Sequence, residues 1–316
     1  MEAPQATDPA FRLRRNVRLN RFTRFNIGGP ADLLIETSDP DRFAALVQSC
    51  RSWEANFYVL GEGSNVLVSD KGYRGVILRF LGAEIKREGH SVTAGAGASL
   101  QALVDFSIDA GLGGLETLAR IPGSVGGAVY GNAGAYGHSI AERAEWVRFY
   151  DGHKVRELGN VGCEFSYRES VFKRHKDWTI FSARFTLQPG NAAQLRARAD
   201  EITKIRDEKF PPAMQCAGSI FKNLYLKDLP PPVAAQVPAS AVREGKVASA
   251  YFLEQVGAKK MRRGGIEITS YHANLIYNTG TGRASEVKLL IDELKKRIRE
   301  RFGFEVEEEI QFVGEF

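Results

Sequence analysis

Cysteines are scarce in this sequence, and their number argues against a disulfide framework. The three cysteines, Cys50, Cys163 and Cys216, are odd in number and form no CxxC pair. Small disulfide-stabilised secreted domains usually carry an even number of cysteines at close spacing. The cysteines therefore predict a protein of a reducing compartment, and we expect a cytoplasmic location.

Long apolar runs are also absent. No apolar stretch approaches the roughly 20 residues that a membrane-spanning helix needs. Residues Met1 to Ala10 are polar, contain Pro4 and Pro9, and lack the apolar core of a signal peptide. We therefore expect no leader segment and no membrane partner.

Several common functional signatures are missing. The five histidines show no HxxxH or HxH spacing, so no metal site is predicted. Neither GxSxG nor GxxxxGK[ST] occurs, which disfavours an α/β-hydrolase and a P-loop NTPase. The net charge of +5 is modest, and the charged residues are interspersed along the chain. No nucleic-acid-binding motif accompanies them. The net charge predicts mild attraction to anionic small molecules and no nucleic-acid partner.

What is present is a globular composition with mixed helix and strand patterns. A chain of 316 residues is long enough for two or three domains. A strand texture begins at Ile85, and Asp39 and Ser99 are the expected N-caps of the first two helices. Residues 226–247 are rich in Pro and Ala and predict an inserted loop. Apolar spacing predicts helices over 40–53, 99–110, 192–210, 248–256 and 284–302, and a last strand over 305–313.

Two glycine-rich segments are the main functional signal. Gly61-Glu62-Gly63-Ser64-Asn65 follows a predicted strand, and Ile121–Gly127 precedes a second glycine cluster at 131–134. Glycines allow positive φ and close approach, so consecutive N–H groups can converge on an anion. Residues 61–66 read GxGxxV and 95–100 read GxGxxL, so the Rossmann fingerprint fails at its last glycine. Together the segments predict a dinucleotide phosphate cradle of another kind.

Ordered motifs give the chain a specific resemblance. They are RFNIGGPA at 24–31, LGEGSNVLV at 60–68, IPGSVGGAVYGNAGAYG at 121–137, FSYRES at 165–170, AGSIFKN at 217–223, HANLIYNTG at 272–280 and EEEIQFVG at 307–314. In this order they resemble the UDP-N-acetylenolpyruvoylglucosamine reductases (UDP-N-acetylmuramate dehydrogenases) of bacterial peptidoglycan synthesis. The resemblance implies an α+β chain with a vanillyl-alcohol-oxidase/PCMH-type FAD-binding fold. It implies two FAD-binding subdomains at 1–84 and 85–205, and a C-terminal α+β substrate-binding domain at 206–316.

The resemblance also implies an activity. Such an enzyme uses NADPH and FAD to reduce UDP-N-acetylglucosamine enolpyruvate to UDP-N-acetylmuramate, which serves cell wall biogenesis, cell shape and cell division. No histidine or cysteine lies in an evident flavin-linkage motif, so we expect FAD to be held noncovalently. The expected partners are a UDP-sugar and NADPH, on a monomeric protein; the sequence leaves the choice between NADPH and NADH open.

The resemblance carries over residue by residue. Arg168 matches the arginine that contacts the enolpyruvyl carboxylate, Ser219 the serine that protonates the intermediate, and Glu309 the C-terminal catalytic glutamate. The residues implied in FAD binding are Gly61, Glu62, Gly63, Ser64, Asn65, Val66, Pro122, Gly123, Ser124, Gly126, Gly127, Asn132 and Ala133. Those implied in substrate binding are Tyr167, Arg206, Lys209 and Asn223.

The choice of Glu309 depends on a predicted strand. Along a strand over 305–313, Glu305, Glu307 and Glu309 would share one face and Glu308 the other. The position of Glu309 next to the apolar tail selects it over Glu307. An acidic edge strand kept soluble by its charge is the structural alternative.

The chain departs from the family pattern in three places. Arg168 and Ser219 are 51 residues apart, which matches the shorter family form without a tyrosine-bearing insertion, so another segment must close the site. Leu224 replaces a family proline, and residues 226–247 are extra, as either a substitute lid or a passive loop. The basic run at 259–265 favours an anionic nucleotide.

Two other functions fit part of the pattern. Another flavin oxidase or dehydrogenase on the same fold would keep the glycine segments and lack Arg168, Ser219 and Glu309. A non-catalytic anion- or nucleic-acid-binding protein would use only the glycine loops and the basic balance. His272 is expected to form a structural hydrogen bond, and Cys216 to be a small buried thiol.

Overall fold

The computed structural model describes residues 11–316, so the expectation for Met1 to Ala10 lies outside the described part of the chain. The described residues form two compact units, each assembled from separate chain segments. Unit 1 contains residues 11–17, 31–62 and 74–208, and unit 2 contains 18–30, 63–73 and 209–316. The three-part division predicted from the sequence stays a prediction.

A four-stranded sheet in unit 1 leads into the first glycine segment. Asp39 accepts the N–H groups of Asp41 and Arg42 and so caps the helix Pro40–Ser52 as predicted. After this helix the strand Phe57–Val59 runs parallel to its neighbour and ends just before Gly61. The strand order is Phe11–Arg18, Pro30–Thr37, Tyr73–Phe80 and Phe57–Val59, with a few end residues in unit 2.

A five-stranded antiparallel sheet forms the rest of the unit 1 framework. The helix Leu100–Asp109, capped by Ser99, buries Leu103, Val104 and Ile108 in the same core as this sheet. The strand order is Val155–Gly159, Ala144–Tyr150, Thr179–Thr186, Ser91–Gly95 and Ile85–Glu88. The strand texture expected from Ile85 onward is therefore present.

Shorter elements complete unit 1. Helices are Val125–Tyr130, Val171–Arg174 and Ala192–Lys209, whose last residue belongs to unit 2. Two-residue strands pair Gly134–Ala135 with His138–Ser139, and Leu112–Gly113 with Gln188–Pro189. Single turns of 3₁₀ helix are Glu116–Leu118, Ile140–Glu142 and Asn160–Cys163.

Unit 2 packs around its long C-terminal helix, Ala284–Phe302. This helix buries Val287, Leu290, Ile291, Leu294 and Ile298 at helical spacing, and it ends at Gly303 with φ 73°. The other elements are the 3₁₀ turn Leu19–Phe22, the helix Ser249–Gln255, the sheet Arg262–Arg263, Ile266–Ile268 and Ile276–Asn278, and the parallel pair Val66–Val68 and Gln311–Val313.

The predicted strand over 305–313 is wrong for most of its length. Only Gln311–Val313 is a strand, and Glu308 forms a single isolated bridge with Phe221. The segment pairs with 220–222 for one register position and then changes partner to pair with Val66–Val68. Because a continuous strand does not form, the alternation of its faces no longer distinguishes the glutamates.

The segment 226–247, predicted as an inserted loop, contains several short elements of two to four residues that the sequence did not indicate. Leu229 and Val233 are buried in the core of unit 2. These single apolar residues attach the segment to the core, although the segment has no regular apolar periodicity. Its elements are Leu226–Asp228, Pro231–Ala234, Ala239–Ala241 and the strands Val242–Arg243 and Lys246–Val247, the latter paired with Leu224–Tyr225.

Candidate active site

Within unit 1, Gly61 and Glu62 at the start of the first glycine segment lie beside the second glycine segment. A Cβ added to Gly61 would lie 2.9 Å from Ser124 Oγ, so the two backbones approach closely at this point. Burial raises the pKa of Glu62, while the charge of Arg79 and the Gly123 N–H act in the opposite direction. The structure thus places Gly61 of the first segment beside Ser124 of the second, and the role of both in FAD binding stays a prediction.

The second segment uses its N–H groups within the protein. Val125 and Gly126 donate to the carbonyls of Ala98 and Ala96 at 2.8 and 2.9 Å, and Gly127 donates to Ser124 Oγ at 3.2 Å. A Cβ at Gly126 would lie 2.9 Å from Ala96 Cβ. Glycine is therefore required at 126 by packing, and the N–H groups at 125–127 are not available to an anion.

The first segment offers the N–H groups that the second does not. Across residues 62–65, which the structure describes in full, no backbone N–H has an acceptor in the protein. Gly63 has φ +64°, and a Cβ there would lie 1.9 Å from Phe22 O. Consecutive unbonded N–H groups around a positive-φ glycine suit a phosphate, so this segment fits the FAD diphosphate. Val66 begins the strand that follows.

Arg168 stands at the tip of a tight turn in unit 1. Ser166 and Glu169 exchange two backbone hydrogen bonds of 3.1 Å across the turn. Arg168 has φ +60°, a left-handed conformation that costs a non-glycine residue about 1–2 kcal/mol. Its guanidinium lies 5.3 Å from the centroid of the Tyr167 ring. Strain held at a polar tip is a common feature of functional sites.

The Arg168 side chain rests on the second glycine cluster, residues 131–134. Its Nη2 donates to Gly134 O at 3.0 Å and its Nη1 to Asn132 O at 3.5 Å. In return Asn132 Nδ2 donates to Ser166 O at 2.7 Å, and Ser170 Oγ donates to Tyr130 O at 2.7 Å. Tyr167 and Arg168 therefore lie beside Asn132 and Ala133, which were predicted to contact FAD.

Tyr130 lies behind this turn. Burial, and secondarily the negative charge of Glu169, raise the pKa of Tyr130 to about 12. The phenol therefore stays protonated at neutral pH and serves as a structural group. Arg206, predicted to bind substrate, lies near the end of Ala192–Lys209, where Asp207 accepts from Arg120 Nε at 2.6 Å.

In unit 2, hydrogen bonds to backbone carbonyls connect Asn65 to Glu309 and connect Glu309 to Ile220, the residue after Ser219. Glu309 N donates to Ile220 O at 2.7 Å, and Asn65 Nδ2 donates to Glu309 O at 3.0 Å. Ser219 forms an isolated bridge with Leu275 and follows Gly218, whose φ is +79°. The end of the first glycine segment is thus bonded to the backbone of the predicted catalytic glutamate.

The neighbouring glutamates have ion-pair partners. Glu307 Oε1 accepts from Lys222 Nζ at 2.5 Å, and Glu308 pairs with Lys295 at 2.9 Å. Lys222 is buried, and its backbone N–H also donates to Glu307 O. These pairs give Glu307 and Glu308 structural contacts, and the catalytic role of Glu309 stays a prediction.

A buried asparagine that sequence reasoning missed fixes the Ser219 segment. Asn274 is 3% exposed, and its Oδ1 accepts from Phe221 N at 2.9 Å. Its Nδ2 donates to Phe221 O and to Ser249 Oγ, both at 2.8 Å. A lone asparagine inside the apolar run ANLIY was the available signal, since buried amides must be hydrogen-bonded. The predicted substrate ligand Asn223 accepts from Ser249 N at 3.4 Å.

His272 is a neutral structural residue, as predicted. Its Nδ1 accepts from Asn274 N at 3.3 Å. Burial, and then the positive charge of Lys209, lower the pKa of His272 to about 4. The charge of the predicted substrate ligand Lys209 therefore reaches His272, and the Lys209 carbonyl accepts from Tyr271 OH at 3.0 Å. Cys216 is buried, as expected, and burial raises its thiol pKa.

Residues 11–316 contain no cluster of three or more His, Cys, Asp or Glu side chains that could hold a metal ion. Over the same range no helix is both long and apolar enough to cross a membrane.

Comparison with known families assigns both halves of the chain. Residues 31–153 match the family model described as an FAD binding domain. Residues 210–313 match the model described as the C-terminal domain of UDP-N-acetylenolpyruvoylglucosamine reductase.

Individual relatives extend the match to almost the whole chain. The reductase of Solibacter usitatus is 59% identical over 94% of this chain and 95% of its own length. The reductase of Rubrobacter xylanophilus is 36% identical over 94% of each chain. The crystal structure of the Thermus caldophilus reductase is 30% identical, with a TM-score of 0.75 over 96% of this chain and 99% of that one.

The fold and the cradle define the chain as an FAD-dependent oxidoreductase. The predicted α+β class with an FAD-binding domain is confirmed. The chain belongs to the UDP-N-acetylenolpyruvoylglucosamine reductase family. Membership favours this reductase over the other flavoenzymes and the non-catalytic binding protein considered above.

Proposed function

We propose that Arg168, Ser219 and Glu309 carry the reduction of UDP-N-acetylglucosamine enolpyruvate to UDP-N-acetylmuramate, with NADPH as reductant. When bound, FAD supplies the hydride chemistry between NADPH and the vinyl carbon of the substrate. The protein must then stabilise the negative charge that spreads into the adjacent carboxylate and deliver one proton.

Arg168 is the proposed carboxylate ligand. A guanidinium is permanently charged and binds a carboxylate through its planar fork. The observation that carries this role is the hydrogen bond from Arg168 Nη2 to Gly134 O at 3.0 Å, beside Asn132 at 3.5 Å. It holds the guanidinium against a segment proposed to contact FAD.

Ser219 is the proposed proton donor, and Glu309 its neighbour. Serine is a weak acid, so donation requires a group that stabilises or reprotonates the alkoxide. Lys222 Nζ is bonded to Glu307 at 2.5 Å, which disfavours Lys222 as that group. The backbone bond from Glu309 to Ile220 supports Glu309 in the role, because it places this residue beside the Ser219 segment.

The diphosphates of cofactor and substrate are proposed to bind at different residues. The unbonded N–H groups at 62–65 support an FAD diphosphate cradle at the first glycine segment. Tyr167, Arg206, Lys209 and Asn223 are proposed to bind the UDP-sugar. The charge of Lys209, which after burial is the next cause of the lowered pKa of His272, supports an anion near Lys209.

We also propose that the protein acts as a cytoplasmic monomer without nucleic-acid or membrane partners. The three cysteines are all free and buried, which agrees with a reducing compartment.

The decisive experiment follows NADPH oxidation with and without UDP-N-acetylglucosamine enolpyruvate. We expect the purified protein to carry flavin absorbance and to turn over NADPH rapidly only with this substrate. A colourless protein that takes up no FAD, or NADPH turnover indifferent to the substrate, would refute the proposal.

A further inference from the structure

The backbone at Arg168 is held from a second direction. The carbonyl of Arg168 accepts a hydrogen bond from Lys173 Nζ at 2.9 Å. This bond lies on the peptide that follows the left-handed residue, whereas the guanidinium contacts lie on the side chain. Arg168 is therefore fixed at both ends.

Lys173 is itself fixed. Its side chain is only 14% exposed, and its ammonium group also contacts Glu169 Oε1 at 2.9 Å. One ammonium group thus bridges the carbonyl of Arg168 and the carboxylate of the next residue. Ser170 lies between Glu169 and Lys173 in the chain, and its Oγ donates to Tyr130 O at 2.7 Å. This bond anchors the backbone that leads from Arg168 to Lys173.

This arrangement has an electrostatic consequence. Lys173 and Glu169 neutralise each other, so the pair adds no net charge beside the Arg168 guanidinium. A carboxylate bound by Arg168 then meets one defined positive charge in a fixed position. Misplacing a catalytic group by about 1 Å can cost about 100-fold in rate, so rigidity at this tip matters for the reaction.

We propose that Lys173 is a positioning residue that sets the backbone conformation of Arg168 and thereby aims its guanidinium at the substrate carboxylate. The proposal rests on the proposed role of Arg168. Lys173 itself touches neither substrate nor cofactor in this scheme.

The test uses rapid-mixing kinetics on FAD-loaded protein, with the two half-reactions measured separately. Lys173→Met should slow reoxidation of the reduced flavin by enolpyruvyl substrate about 10- to 100-fold. Flavin reduction by NADPH and the dissociation constant for FAD should change less than about twofold, because the change acts only through Arg168. Lys176→Met, an exposed lysine three residues along the chain, is the matched control and should leave both rates unchanged.

The same substitutions made in Arg168→Ala protein distinguish positioning of Arg168 from general damage to the fold. In Arg168→Ala protein, adding Lys173→Met should slow reoxidation less than about threefold, since nothing remains to be aimed. Lys173→Arg keeps a cationic donor and should restore most of the rate. If Lys173→Met fails to retain FAD, Lys173→Gln replaces it in both backgrounds, with about 3- to 10-fold slowing expected only when Arg168 is present.

Three outcomes overturn the proposal. One is an unchanged reoxidation rate in the Lys173 variants, and another is equal slowing with and without Arg168. The third is an Arg168→Ala protein that reoxidises at the normal rate, which refutes the role of Arg168 itself. The third outcome identifies failure of the proposed function, whereas the first two, with Arg168→Ala slow, identify failure of the positioning alone.

Discussion

The backbone N–H of Glu309 donates to the carbonyl of Ile220 at 2.7 Å, directly after Ser219 in the chain. A second backbone bond, from Lys222 N to Glu307 O at 2.9 Å, flanks the first. These two bonds fix the register between the serine segment and the C-terminal segment. The proposed proton donor and the proposed glutamate therefore belong to one small rigid assembly.

Ser219→Ala should separate the two half-reactions. Flavin reduction by NADPH should stay within about threefold of the normal rate, while reoxidation by the enolpyruvyl substrate should slow about 10²- to 10⁴-fold, the usual contribution of a general acid. Stopped-flow absorbance at the flavin band measures both rates. Equal slowing of the two half-reactions would argue against proton donation by Ser219.

Glu309→Gln should also slow reoxidation, by about 100- to 1000-fold, because it alters a group placed at the developing charge. Glu307→Gln is the control, since Glu307 is 71% exposed and paired with Lys222. Glutamine at 307 keeps a hydrogen-bond acceptor for the buried Lys222, so this change should alter the rate less than about threefold. Reversed effects of the two substitutions would assign the role to Glu307.

Helix positions were largely predictable because local signals determine them. Asp39 and Ser99 cap their helices, and Gly303 ends the last one, each through the interaction expected of that residue type. The strand expected over 305–313 failed because pairing partners are set by tertiary contacts. Glu308 meets Phe221 for one register position before Gln311 turns to a different strand.

The site was predictable in its residue types and less so in their arrangement. The glycines at 61 and 126 were recognisable, but only the structure shows that the second segment satisfies its own N–H groups and leaves those at 62–65 unbonded. Asn274 and Lys173 act through buried or half-buried bonds to backbone atoms. Such contacts leave no recognisable pattern in the spacing of residues along the sequence.

Gly126→Ala should weaken the FAD cradle. The added Cβ would lie 2.9 Å from Ala96 Cβ, a short contact between groups on two packed backbones. Such overpacking costs about 1–3 kcal/mol of unfolding free energy. FAD affinity, followed by quenching of flavin fluorescence, should fall together with stability. Gly131→Ala is the control, because its Cβ would meet Gly127 O at 3.5 Å and fits; equal loss of FAD affinity in both variants would contradict this account.

Leu229→Ala should show that the ordered segment 226–247 is part of the unit 2 core. Leu229 is 6% exposed and packs in that core. Truncation of a buried leucine costs about 2–5 kcal/mol of unfolding free energy. Chemical denaturation measures the loss, and Gln236→Ala at an exposed position of the same segment should cost less than about 0.5 kcal/mol. A Leu229→Ala protein as stable as the parent would indicate a loosely attached loop.

His272 should make stability fall as the pH is lowered from about 6.5 to about 4. Its pKa in the folded protein is about 4, chiefly because of burial and then Lys209, against 6.5 for an unperturbed histidine. Between these values the unfolded chain binds a proton that the folded chain excludes, so His272 contributes its full stability above pH 6.5 and loses it towards pH 4. One proton corresponds to a slope of about 1.4 kcal/mol per pH unit.

Other groups titrate over the same range, so the measurement is a difference between two proteins. Urea unfolding of the parent and of His272→Asn, both at saturating FAD, is compared at intervals from pH 4.5 to 7.5. His272→Asn retains a hydrogen-bond acceptor for Asn274 N but cannot be protonated. Its unfolding free energy should therefore fall less steeply with acid than that of the parent, and parallel curves for the two proteins would show that His272 binds its proton equally well in the folded and unfolded states.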